Sequence, residues 1–352
     1  MKKPQIKINF LYYGTPFNLK KNIFFKILQK KYEVVISNNP DYVFFSVYKN
    51  NNKFLLKDGT ARILKTSEKK EEKFLKKIVR KLREKDFVKG VIWFLREKKI
   101  IKPYAKILDV KGDFVKIFYT NESIKPDMSK CDWAFSFCPE SELNHPKHMR
   151  IPPYIFNSDV FYLKKRRLSM TEIKKEKTKF CNFVYSNYVP PRNKFFKELS
   201  RYKHVDSPGR CMNNMPPIGS YKNADKSRIS PNFVEEKLKF IKPYKFTIAF
   251  ENTIRNGFNT DRMVHSFLSN SIPIFWGDKT INRDFNPKCF INCNNFRNFN
   301  EVIKKVMELD KNDELYKKML NQQWYNNKNP CKSVINRLEK RLEEIFREPQ
   351  IK

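Results

Sequence analysis

The apolar positions of this chain fall into short strand-like runs separated by stretches with helical spacing. A first run over residues 6–13 ends at Gly14, after which Ile23, Phe24, Ile27 and Leu28 share one helical face. Two further runs, 34–37 and 42–48, predict strands. Between residues 65 and 86, Phe74, Leu75, Ile78, Val79 and Leu82 recur at helical spacing among charges. That pattern predicts an amphipathic helix with a solvated basic face, inside an insertion at about 50–110. Strand signals resume at 115–120 and 133–137. A basic break at 164–167, with more lysines up to Lys179, is read as the linker between domains.

A second alternation follows. It runs through a strand at 180–186, a helix from Arg192 to about Arg201, a strand near 204–206 and a strand at 246–250. A polar loop, a helix from about Thr260 to Asn270 and a strand at 272–276 complete it. Strands alternating with helices predict an α/β chain with a parallel sheet in each half. The expected organisation is a first domain over 1–163, a second over 164–330 and a C-terminal amphipathic helix within 331–352. In that helix Val334, Ile335, Leu338, Leu342, Ile345 and Phe346 share a face. No internal repeat is visible. Two such halves make the cleft between them the natural binding site, outside the carboxyl ends of the strands.

Composition changes this picture little. The 40% hydrophobic and 15% aromatic content is ample for two cores, which excludes disorder as the default. No apolar run approaches membrane-spanning length and no signal peptide is recognisable, so a cytosolic chain is expected. The 7 cysteines lack paired spacing and read as reduced thiols; His145 and His148 flank Pro146, where no helical metal motif can form. The net charge of +36 fits nucleic acid, an anionic membrane surface or an anionic substrate. An AT-rich codon bias toward Lys, Asn, Ile and Phe accounts for part of it.

The loop after the 246–250 strand carries the chemistry. Residues 250–262 read FENTIRNGFNTDR, in a chain with only 8 glycines. Strand, loop, helix is the setting in which free N–H groups and the positive dipole end hold an anion. Gly257 allows backbone angles closed to other residues, or close approach of a ligand. Asn259 or Thr260 can cap the helix, whose Met263, Val264, Phe267 and Leu268 face the core. Arg262 in the first turn opposes the helix dipole, which makes sense if an anionic ligand pairs with it. Asp261 suits the first turn and can accept bonds from sugar hydroxyls. A polar turn with a surface ion pair is the plainer reading of the same residues.

Several motifs in order resemble the α-1,3/1,4-fucosyltransferases, glycosyltransferase family ten. They are Phe250-Glu-Asn-Thr253, Gly257-Phe-Asn-Thr-Asp-Arg262, Ile272-Pro-Ile-Phe-Trp-Gly277, Asp284-Phe-Asn-Pro-Lys288 and Phe118-Tyr-Thr-Asn-Glu-Ser123. The likeness is specific from about 115 to 325, weak over 1–50 and absent in 50–110. Three positions depart from the family pattern. Phe258 replaces a tyrosine whose hydroxyl would reach the diphosphate, Asp261 replaces a glutamate, and Arg262 replaces a lysine.

The resemblance implies a GT-B fold, two Rossmann-like domains facing across a cleft, and transfer of fucose from GDP-fucose with inversion and without a metal. No DxD triplet is present to hold a divalent ion. The implied donor-site residues are Arg192, Glu251, Asn252, Gly257, Phe258, Thr260, Asp261 and Arg262. Arg192 and Arg262 would neutralise the diphosphate, and Asn252 and Asp261 would contact the donor's sugar groups. Glu122, at the end of the 115–120 strand, matches the family's proposed base. Tyr12 and Tyr13 are placed where relatives carry aromatics that could face an N-acetyllactosamine-type acceptor. The alternatives are another GDP-linked sugar, a nucleic-acid binder, and a peripheral protein carrying helix 333–347 or 65–86 on anionic lipid. Nothing matches a nucleic-acid-binding motif, so no nucleic-acid partner is expected.

Overall fold

The computed structural model describes residues 3–13, 18–48, 86–97, 107, 109–156, 165–218, 233–325 and 330–347. The expected helix at 65–86 lies outside them, except for its last residue. The first half is a six-stranded, all-parallel sheet in the order β2-β1-β3-β4-β5-β6. Its strands are β1 (Gln5–Leu11), β2 (Glu33–Ile36), β3 (Tyr42–Phe45), β4 (Val115–Tyr119), β5 (Trp133–Ser136) and β6 (His148–Arg150). Helix α1 (Ile23–Lys31) covers one face; the Asn22 side chain caps it by accepting from the backbone N–H groups of Phe24 and Phe25. Helix α2 (Asp86–Glu97) lies within the stretch expected to be an insertion.

The second half is a five-stranded parallel sheet, β11-β10-β9-β7-β8, built from β7 (Lys179–Asn182), β8 (Val205–Asp206), β9 (Tyr244–Phe250), β10 (Ile272–Trp276) and β11 (Ile291–Asn292). Its helices are α3 (Met170–Glu176), α4 (Pro190–Ser200), α5 (Phe233–Ile241), α6 (Asp261–Leu268), α7 (Phe299–Lys311) and α8 (Asp313–Leu320). The basic stretch read as a linker contains α3, closed by a capping box between Ser169 and Glu172, with Ile173 in the second core. Arg166 pairs there with Glu172 and Glu176.

The last helix, α9 (Pro330–Arg347), returns to the first half. Val334, Leu338, Leu342, Ile345 and Phe346 are buried, and the Phe346 ring lies 4.1 Å from that of Tyr42. Lys30 and Lys31 of α1 pair with Glu339 and Glu343 across the same contact. The apolar stripe of 333–347 is thus covered by the first domain. Among the described residues no helix is long and apolar enough to cross a membrane.

The halves are packed together. One core runs from Phe24 and Phe44 through Tyr154 to Met263, Phe267 and Phe285. Arg150, at the end of β6, is buried and donates to both carboxylate oxygens of Asp284 at 2.9 and 2.6 Å. It also donates to the carbonyls of Gly257 (3.1 Å) and Phe137 (3.3 Å). All 7 cysteines are buried and none forms a disulfide among the described residues.

Candidate active site

In the second sheet the chain leaves β7 for β8 on one side and returns to β9 on the other. A parallel sheet opens a crevice at such a reversal, beyond the carboxyl ends of the strands. Residues following β7 and β9 line a cleft of about 270 Å³ there, including Tyr185, Asn187, Arg192, Lys237, Asn252, Asp261 and Arg262. The proline pair at the start of α4 places Arg192 in its first turn, pointing back into the crevice.

Arg192 is buried, with 1% exposure. Its guanidinium carbon lies 3.7 Å from the centroid of the Tyr185 ring. One nitrogen donates to Asn252 Oδ1 at 3.1 Å and another to the Asn187 carbonyl. Among the described residues its Nε has no partner and no carboxylate pairs with it. Burial pushes its pKa down to about 10, with the Arg262 charge adding to the effect and Tyr185 opposing it, so it stays cationic at neutral pH. The Tyr185 ring is held by its hydroxyl, which donates to the Ile248 or Phe250 carbonyl and accepts from the Phe250 N–H.

Arg262 enters the same cleft from α6. It pairs with Glu251, donates to Thr260 Oγ1 at 2.6 Å and to Asn252 Oδ1 at 3.4 Å, and stands 5.6 Å from the Tyr185 ring. Burial disfavours both charges of the Glu251–Arg262 pair. Glu251 is nevertheless the one pushed up, while Arg262 is held above its ordinary value by Glu251. Asn252 therefore bridges two guanidinium groups through one oxygen, and among the described residues only Arg262 has a carboxylate.

Thr260 is the N-cap of α6, but its hydroxyl bonds to Glu251 instead of capping. Asn259 is buried and donates to Asp278 and Asp284, both at 2.9 Å. Asp261 is engaged by His265 at 3.0 Å and Lys237 at 3.6 Å. Burial would raise its pKa, but Lys237, His265 and Arg262 outweigh that and hold it well below the carboxylate range.

The far side of the loop faces the first half. Gly257 has φ +81°, and a Cβ there would lie 2.3 Å from the Phe137 carbonyl oxygen. The glycine is thus required by backbone of the other domain. Phe258, expected among the donor contacts, is buried against Phe137 and Cys138 with its ring 5.3 Å from Phe137. It does not line the cleft because the neighbouring domain takes up its ring. Asn256 donates to Glu142 at 2.8 Å in the same interface.

In the first sheet the order reverses beside β1 and β3. Glu122 is exposed just beyond the end of β4; Tyr48, beyond β3, donates to it at 2.9 Å and lies 3.0 Å from Asn121. Tyr12 is half-buried with φ +51°, ending β1 as a single left-handed residue. Tyr13 is 4% exposed within the core, so its expected place against an acceptor is corrected to packing. Tyr185 and Lys237 were missed by pattern reading. Tyr185 sits in a strand-like run, and Lys237 lies among the mixed charges of 235–239 with nothing to single it out. Among the described residues no cluster of three or more His, Cys, Asp or Glu is placed to hold a metal ion.

Comparison with known proteins matches residues 174–343 to the family described as Glycosyltransferase family 10 (fucosyltransferase) C-term. Residues 8–78 and 104–157 match the Alpha-(1,3)-fucosyltransferase FucT N-terminal domain, so the likeness expected to be absent over 50–110 is missing only from 79–103, between the matched parts. A protein of Acanthamoeba polyphaga mimivirus named as a candidate fucosyltransferase is 34% identical over 181 residues, 50% of this chain and 28% of its own. The Alpha-(1,3)-fucosyltransferase FucT of Helicobacter pylori is 27% identical over 237 residues, 58% of this chain and 46% of its own. The matches thus span less than half the length of these curated relatives. A crystal structure of an alpha1,3-fucosyltransferase with GDP-fucose superposes with a TM-score of 0.63 at 20% identity, over 97% of this chain and 92% of that one. The two halves therefore form a GT-B fold.

Proposed function

Because the chain belongs to glycosyltransferase family 10, the fucosyltransferase family, we propose that it transfers fucose from GDP-fucose to an acceptor glycan. The acceptor hydroxyl belongs to a GlcNAc-containing, N-acetyllactosamine-type glycan, the linkage is α-1,3, and the anomeric configuration inverts. The observation that carries this reading is the buried Arg192, with no carboxylate and no Nε partner among the described residues, beside Arg262 at the switch point of the second sheet. A buried guanidinium left in that state is stabilised by an anionic ligand. A diphosphate supplies the anion that Arg192 lacks, beside an Arg262 already paired with Glu251.

Transfer then divides between the two halves. The acceptor oxygen forms a bond to the anomeric carbon as the carbon–diphosphate bond breaks. Glu122 takes the proton from the acceptor hydroxyl, oriented by the Tyr48 hydroxyl. Arg192, Arg262 and the N-terminal end of α6 stabilise the charge that develops on the departing diphosphate. Asn252 holds both guanidinium groups at a fixed separation and Glu251 orients Arg262. No metal takes part in this scheme. Another GDP-linked sugar is the second reading, favoured by Asp261 being engaged with Lys237 and His265 instead of standing open to sugar hydroxyls.

The test is fucose transfer to N-acetyllactosamine with EDTA present, comparing wild type with Glu122→Gln. Product from wild type and a loss of about 100-fold in kcat for the variant, at unchanged donor affinity, support the scheme. GDP binding without fucose transfer would move the assignment to another GDP-sugar. An undiminished Glu122→Gln enzyme would remove Glu122 as base.

A further inference from the structure

We propose that helix α2 is a strap that sets the geometry of the donor clamp, with Trp93 as its positioning residue. This rests on the donor site proposed above. The helix belongs to the first half in chain order, and it falls wholly within residues 79–103, which the family match skips. Yet it packs on the second half. The Trp93 indole N–H donates to the Asn252 backbone carbonyl at 2.9 Å. Glu97 lies 3.6 Å from Arg255 in the same loop. A Cβ at Gly90 would stand 3.7 Å from Pro190 and 3.8 Å from Tyr188, so the helix rests on the entry to α4 as well.

These three contacts fall on the two segments that carry the cations. Pro190 begins the helix that presents Arg192, and Asn252 is the residue whose side chain receives both Arg192 and Arg262. Asn252 follows β9 by two residues; Glu251 before it is tied to β10 by its N–H, 2.8 Å from the Trp276 carbonyl, and the residues after it form a loop without regular structure. A bond to its main-chain carbonyl from outside fixes the peptide plane, and with it the place of Oδ1. The spacing of the two guanidinium groups follows from that oxygen. Trp93 touches neither donor nor reacting atoms in this account; it acts through Asn252.

The test is a double-mutant cycle on the full chain, read by GDP titration and by donor and acceptor KM. Trp93→Phe keeps the ring and removes the N–H. It should weaken GDP binding and raise the donor KM about five- to tenfold, the size of one lost hydrogen bond. The acceptor KM should hold, and the melting temperature should fall by no more than a few degrees, the cost of one hydrogen bond. In an Asn252→Ala background the same change should have no further effect on GDP. An equal effect in both backgrounds, or none in either, would overturn the proposal.

Should wild type bind no GDP at all, the donor reading fails and the strap is judged separately. Backbone hydrogen exchange over residues 251–262 should still quicken in Trp93→Phe. Unchanged exchange there would refute the strap on its own.

Discussion

Replacing Arg150 by methionine should be among the most damaging single changes outside the cleft. Arg150 and Asp284 are 6% and 4% exposed, and their two bonds are 2.9 and 2.6 Å. Burial works against the guanidinium, but Asp284 outweighs it and holds its pKa above the ordinary value. Methionine fills the volume and leaves Asp284 buried, with Asn259 as a neutral donor and the exposed Arg283, 3.9 Å away, as its remaining cation. Breaking a buried pair from one side costs about 3–5 kcal/mol. Removing both partners in Arg150→Met/Asp284→Leu abolishes the stranded charge. It still leaves the Gly257 and Phe137 carbonyls short of a donor, for a loss of about 1–3 kcal/mol. The double variant should therefore be more stable than the single one. Urea unfolding followed by tryptophan fluorescence reads both. A single variant losing under about 1 kcal/mol, or a double variant no better than the single, would refute the reasoning.

Three further outcomes follow from the same contacts. His148 is buried against Ser136 at 3.0 Å, and burial pushes its pKa from 6.5 down to about 4. Between pH 6.5 and about 4 the unfolded chain binds a proton that the folded chain refuses, so stability is present above 6.5 and falls as pH drops. The loss is roughly 3 kcal/mol, His265 adds in the same direction, and unfolding curves of His148→Gln should be flatter over this window. Gly257→Ala meets the Phe137 carbonyl at 2.3 Å with φ +81° and should destabilise by about 1–3 kcal/mol, read by thermal unfolding. Phe258→Tyr restores the family residue but buries a hydroxyl among Phe137 and Cys138. It should leave the GDP affinity unchanged and cost about 1–3 kcal/mol of stability, and tighter GDP binding would show that the ring reaches the cleft.

Strands were legible where both faces are buried and the run is apolar and unbroken, as at Tyr42–Phe45 and Ile272–Trp276. The three-residue β6 and the two-residue β11 offered no such run: His-Met-Arg and Ile-Asn have no periodicity to find. At the site, the arginine in the first turn of α6 pointed to an anion through its conflict with the helix dipole, and it lines the cleft. Gly257 and Phe258 carried the same family motif and still face elsewhere. What crowds them, the Phe137 carbonyl and ring, lies about 120 residues earlier in the chain. Spacing within one loop cannot reveal a partner brought by another domain. The same holds for Arg150, which in sequence is one basic residue among 73.

GDP titration calorimetry of wild type against Arg192→Ala and Arg262→Ala tests most directly whether this cleft holds the nucleotide. Wild type should bind GDP, and each variant should bind it about 100-fold more weakly, as expected for losing a positioned cation. GDP held equally well by all three proteins would place the nucleotide outside this cleft and contradict the central claim.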